Sequence, residues 1–115
     1  MQYLIIGLDG KDSDAMNRRL AVREDHIKLG DELLQSGNMW YGAAIRDDDD
    51  NMIGSALFMD FDTEEDLQKW LDKEPYVVGK VWQKIEIHKC STRDPWQFNR
   101  SKEWFKKRTK KISKN

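Results

Sequence analysis

The chain has 115 residues, 38% hydrophobic and 36% charged, with five Trp, four Phe and three Tyr. That length suits one core, and the aromatic content is enough to fill it. The net charge of −1 divides unevenly: residues 100–115 carry eight bases against one acid, a +7 segment, and the rest is an acidic body of −8. No window approaches the roughly 18 uninterrupted apolar residues of a membrane span.

The apolar run at Gln2–Leu8 predicts a strand, with Tyr3 and Ile5 on one side and Leu4, Ile6 and Leu8 on the other. Asp9-Gly10-Lys11-Asp12 is loop chemistry, and Asp12 or Ser13 is placed to cap the next element. Ala15–Ser36 predicts a long helix, with Met16, Leu20, Ile27 and Leu34 at helical spacing and Leu33 beside them; Gly37-Asn38 stops it. Met39–Ile45 and Ile53–Phe61 predict a hairpin across the polar turn Arg46–Asn51. The four aspartates Asp47–Asp50 lack the alternating ligands, Gly hinge and distant Glu of a calcium loop, so a solvated turn is expected and no metal site.

Thr63 caps a second helix whose first-turn acids suit the positive end of the helix dipole. Leu67, Trp70 and Leu71 form its inner stripe and Pro75 is expected to end it. Val81–Lys89 predicts a fourth strand with Val81, Ile85 and Ile87 on one face. Asp94-Pro95 is placed to open a terminal helix carrying Trp96, Trp104 and Phe105.

The order strand, helix, strand, strand, helix, strand is the split βαβ arrangement of an α+β, ferredoxin-like domain with a four-stranded antiparallel sheet. Two helices cover one sheet face. Both sides of the first strand are apolar, so the other face needs a cover, and a second copy of the chain supplies the simplest one. The expectation is a homodimer built as an α+β barrel, with a domain at 1–90 and a basic, helical C-terminal extension at 91–115. The lone Cys90 permits no intrachain disulfide, and the opening residues lack the pattern of a secretory signal, so a cytoplasmic address is expected. The basic tail could neutralise phosphates, but the acidic body and the lack of a nucleic-acid module argue against a nucleic-acid partner.

The residues with chemistry to offer are few. Arg19, Arg23 and His26, spaced by four and then three, share one helical stripe. Two guanidinium groups suit a carboxylate, phenolate or enolate, and an imidazole moves protons near neutral pH. Asp9 closes the first strand and is placed either to orient His26 or to pair with Arg19 or Arg23. Ser55 follows Gly54 without a hydrolase elbow around it, so it binds a ligand oxygen or is only a small sheet residue. His88 beside Glu86 reads as an edge histidine and Cys90 as inert. Trp40, Tyr41, Phe58 and Trp82 read as core or interface aromatics. No Gly-rich phosphate loop is present, and no cofactor is expected.

Several stretches together resemble the YciI-like (YCII-related) family: the opening YLIIGLDGKDSD, RRLAVREDH at Arg18–His26, LLQSGNMWYGA, GSALFMDF and EPYVVGKVWQKIEI. The resemblance covers residues 2–89. It implies a ferredoxin-like protomer paired into a barrel, with an active site built around a His and an Asp. Carried onto this chain, it assigns catalysis to His26 and Asp9, with Arg23 and Ser55 beside them. Members usually carry Asp-Pro-Tyr where this chain has Glu74-Pro75-Tyr76, which adds Glu74 to Arg19, Arg23 and Ser55 as expected substrate-binding residues. The Gly-Pro usual after the first helix is replaced around Asn38–Gly42. One branch resembles dehydrochlorinases of hydroxylated aromatics. The function this implies is binding of a small anionic or aromatic metabolite with proton-transfer chemistry, elimination or isomerisation. The rival expectation is a ligand-binding or interaction module without turnover.

Overall fold

The computed structural model describes residues 1–94, 97, 98 and 100–112, the last four by their backbone. Chain order gives β1 (Gln2–Asp9), α1 (Ala15–Ser36), β2 (Met39–Arg46), β3 (Met52–Asp60), α2 (Glu64–Lys73), α3 (Pro75–Val78), β4 (Trp82–Cys90) and α4 (Lys102–Ile112). The four strands form one antiparallel sheet in the order β2-β3-β1-β4, the α+β, ferredoxin-like arrangement that the element order predicts.

Period-two alternation sets the two faces of the sheet. Tyr3, Ile5 and Gly7 of β1 are buried under the helices, and their partners Met59, Leu57 and Ser55 on β3 point the same way. Leu4, Ile6 and Leu8 face the opposite side with Phe58, Ala56 and Gly54, and no helix of the core covers them. The core fills the space between sheet and helices with Ile5, Met59, Trp70, Tyr76 and Val81. Full burial of such a side chain contributes about 1.5–3 kcal/mol.

Local chemistry fixes the helix ends. Gly37, with φ of 86°, closes α1 in the left-handed region that costs glycine least. Thr63 Oγ1 accepts from the Asp66 N–H at 3.1 Å, as its capping position predicts. The start of α1 differs from expectation. Asp14 is its N-cap and makes no side-chain cap bond, because Asp12 instead grips Arg18 through two bonds of 2.8 and 2.6 Å.

Three further expectations are corrected. Pro75 does not merely end α2: it opens α3 as the first helical residue, with the Glu74 carboxylate accepting from the Tyr76 N–H at 3.2 Å. Val81 precedes β4, and a register shift opposite Leu8/Asp9 breaks the alternation that would join it to Ile85 and Ile87, which are exposed on the edge strand. The terminal helix opens at Lys102, with Ser101 Oγ accepting from the Trp104 N–H at 3.1 Å, rather than at Asp94-Pro95. Pro95, Trp96 and Lys114 lie outside the described residues.

Candidate functional site

The face α1 turns inward is not the one its leucines suggest. Leu20 is 55% and Leu34 49% exposed, and Ile27 is exposed as well. The buried stripe runs instead through Arg19, Val22, His26, Leu29 and Leu33. A polar stripe can be buried only where each group finds a partner, and here the sheet and α2–α3 supply them.

Arg19, 3% exposed, has both terminal nitrogens committed, while its buried Nε finds no hydrogen-bond partner among the described residues. Its Nη1 donates to both Asp9 oxygens at 3.0 Å; its Nη2 donates to the Gly54 carbonyl at 3.2 Å and to Ser55 Oγ at 3.3 Å. Its guanidinium carbon lies 4.7 Å from the centre of the Tyr76 ring. Burial raises the Asp9 carboxyl above its ordinary pKa, and the Arg19 charge only partly offsets that push.

His26 finds a different acid from the one expected. Its Nδ1 pairs with Glu74 Oε1, and the imidazole stacks on Tyr76 at 3.8 Å between centroids. Glu74 is 1% exposed. Its Oε1 also accepts from the Tyr76 N–H, and its Oε2 accepts from Trp70 Nε1 at 3.1 Å. Of the partners the sequence leaves open for Asp9, the structure gives Arg19 rather than His26. Asp9 sits at the far end of β1, where the nearer guanidinium of Arg19 takes it, while the turn between α2 and α3 carries Glu74 to the ring. Glu74 itself does not line the cavity, so its expected contact with substrate is corrected to a contact with His26.

A cavity of about 300 Å³ opens between α1 and the helix-facing side of β2 and β3. Arg19, Arg23, His26, Asp31, Ser55 and Tyr76 supply its polar lining, and Met39, Leu57 and neighbouring small residues its apolar wall. All the lining residues named here belong to one chain. Arg23 enters it with no hydrogen bond or ion pair to any described residue, and His26 Nε2 is likewise without a protein partner among them. Burial raises the Tyr76 phenol above its ordinary pKa, with Arg19 and Arg23 pulling against it.

Ser55 Oγ accepts from Trp82 Nε1 at 3.2 Å as well as from Arg19. The Trp82 indole lies against Gly7, where a Cβ would fall 2.3–2.5 Å from the ring. The sequence suggests a core or interface place for Trp82 and no role for Tyr76; the signal for Tyr76 is the Glu-Pro pair that sets it at the start of a helical turn. The other singled-out groups stay apart from the cavity. His88 pairs with Glu86 at 3.1 Å on the exposed edge strand. Asp47 Oδ1 accepts from the N–H groups of Asp49 and Asn51, closing its turn.

The sheet order and the cavity under α1 define a small ferredoxin-like α+β protein with a polar site on the helical side of its sheet. The YCII-related domain matches residues 1–91, and the chain belongs to that family. It is 32% identical to Protein YciI of Escherichia coli over 76% of this chain and 93% of the relative, and to Protein YciI of Shigella flexneri to the same extent. Among solved structures it is similar to a 5-chloro-2-hydroxyhydroquinone dehydrochlorinase from Burkholderia phenoliruptrix in complex with 2,5-dihydroxybenzoquinone. The TM-score is 0.68 at 16% identity, over 81% of this chain and 96% of that one, a likeness of fold.

Proposed function

We propose that the chain is a small enzyme that binds an anionic or aromatic metabolite in the 300 Å³ cavity and moves a proton through His26 in an elimination or isomerisation. The observation that carries this reading is the pairing of His26 Nδ1 with the buried Glu74 carboxylate, which leaves Nε2 in the cavity beside Arg23, itself without a partner among the described residues. The carboxylate fixes Nδ1 as the protonated nitrogen, so the neutral ring presents Nε2 as a base. Trp70 and the Tyr76 N–H hold that carboxylate still. Nε2 takes a proton from the substrate while a leaving group departs or a double bond shifts, and Arg23 stabilises the oxyanion that develops. A hydroxylated ring fits the stacked and apolar walls, the ligand class named for the structural neighbour.

The same reading keeps the two-part organisation, 1–90 and the basic extension 91–115, and a cytoplasmic homodimer. The dimer is inferred from the open sheet face, where Leu4, Ile6, Leu8 and Phe58 stand beside the exposed Tyr41.

The test is turnover of a panel of chlorinated hydroquinones and phenolic acids. His26→Ala is expected to lose about 10²–10⁴-fold in rate with binding retained, and Arg23→Ala to lose binding. Binding that depends on Arg23 with no turnover of any panel member would replace the enzyme with a ligand-binding module.

A further inference from the structure

The Ser55 hydroxyl carries two acceptor sites and one proton. Arg19 Nη2 donates to it at 3.3 Å and Trp82 Nε1 at 3.2 Å. A guanidinium and an indole are donors only, so neither can reverse its role as a histidine or a second hydroxyl would. Both acceptor sites are therefore filled, at any pH the fold survives. The Ser55 proton has no acceptor among the described residues, and Ser55, 2% exposed, lines the cavity.

Neither donor is free to swing away. The Asp9 carboxylate holds Arg19 by both oxygens. Trp82 is seated on Gly7 and meets His26 and Tyr76 edge-on, at 6.3 and 5.7 Å between centroids. We propose that Trp82 is a positioning residue that makes Ser55 an obligate hydrogen-bond donor, so that the cavity selects a ligand oxygen and rejects an N–H group at that point. The proposal rests on the reading of this cavity as the ligand site and adds to it a rule for the ligand: the group opposite Ser55 is a phenolic, carbonyl or carboxylate oxygen. A donor-only N–H there, such as an indole N–H, would set one donor against another in a buried place, where an unmatched polar group is costly.

The probes are 1-indanone and indole at about pH 8, both uncharged and close in size, one offering a carbonyl oxygen that only accepts and the other an N–H that only donates. Their affinities are measured by protein-observed NMR titration. Wild type is expected to favour 1-indanone by at least about tenfold, one hydrogen bond's worth. Trp82→Phe keeps a ring on Gly7 but frees an acceptor site on Ser55, and should cut that preference about tenfold. In a Ser55→Ala background the same change should do nothing further. A folded Trp82→Phe protein with the wild-type preference, or a wild type that favours indole, overturns the proposal. If Trp82→Phe fails to fold, Ser55→Ala carries the test: the preference must fall about tenfold, and an unchanged ratio overturns the proposal. 1-Indanone bound with no effect of these variants sinks this inference alone. A wild type that binds neither probe, nor any member of the turnover panel, removes the cavity as ligand site and this inference with it.

Discussion

Arg19 and Arg23 sit four residues apart on one stripe and have different tasks. Arg23 ends in the cavity with no protein partner among the described residues, whereas every bond of the Arg19 guanidinium terminus goes to Asp9, Gly54 or Ser55. Both members of the Arg19–Asp9 pair are nearly inaccessible, at 3% and 4% side-chain exposure. Removing one partner of such a pair leaves the other charge buried and uncompensated, which costs about 3–5 kcal/mol. Arg19→Met should therefore destabilise the protein by that amount in urea unfolding, and adding Asp9→Asn should restore part of the loss. Equal stability of Arg19→Met and wild type would show that Arg19 is a ligand-binding residue held in place by little else. The sequence named all of these residues, but it could not apportion two acids between an arginine and a histidine, since spacing along α1 says nothing about which carboxylate a distant turn delivers.

At the scale of elements, packing overrode two local patterns. The Met16–Leu20–Ile27–Leu34 row is a regular helical stripe, yet α1 buries the adjacent arc because Asp9, Ser55 and Glu74 satisfy the polar groups there. β1 contributes through an absence: Gly7 leaves room for the Trp82 indole. Gly7→Ala would drive a methyl into that ring and should cost about 1–3 kcal/mol in thermal unfolding; a neutral substitution would mean the indole shifts freely. The loop into α1 has its own signature. Hydrogen bonds from Arg18 hold the Asp12 carboxyl down to about 2. A depressed carboxylate contributes stability that is present above its unfolded value of about 3.9 and is lost as pH falls through the folded value. Asp12→Asn should thus melt lower than wild type at pH 6, with the gap closing as the pH approaches 2. A gap that stays constant over that range would assign the effect to the amide itself rather than to the ion pair.

For the whole molecule, the open sheet face is the feature that asks for a partner. Leu4, Ile6, Leu8, Ala56 and Phe58 form a continuous apolar surface across the two central strands. Contiguous apolar area of this kind is seldom left to water. In sedimentation the wild type should run at twice the chain mass, and Ile6→Lys, at the centre of that face, should run at the chain mass. A wild type that is monomeric at tens of micromolar would leave the face without its second copy. Just ahead of α4 the Arg100 guanidinium lies 4.6 Å from the Trp104 ring centre, and within the helix Trp104 and Phe105 meet edge to face.

Sequence alone determined the number and order of the strands and main helices, the single core and the common stripe of Arg19, Arg23 and His26 on α1. Those follow from hydrophobic period, capping residues and turn chemistry, all of which act within a few residues along the chain. Tertiary structure decided which charges are consumed and which remain available. That Glu74 rather than Asp9 meets His26, that Trp82 holds Ser55 and that the cavity lies beneath α1 are matters of distance between residues as many as 48 apart in the chain. They are settled by which buried polar groups can be satisfied together, a condition imposed by the packed molecule as a whole.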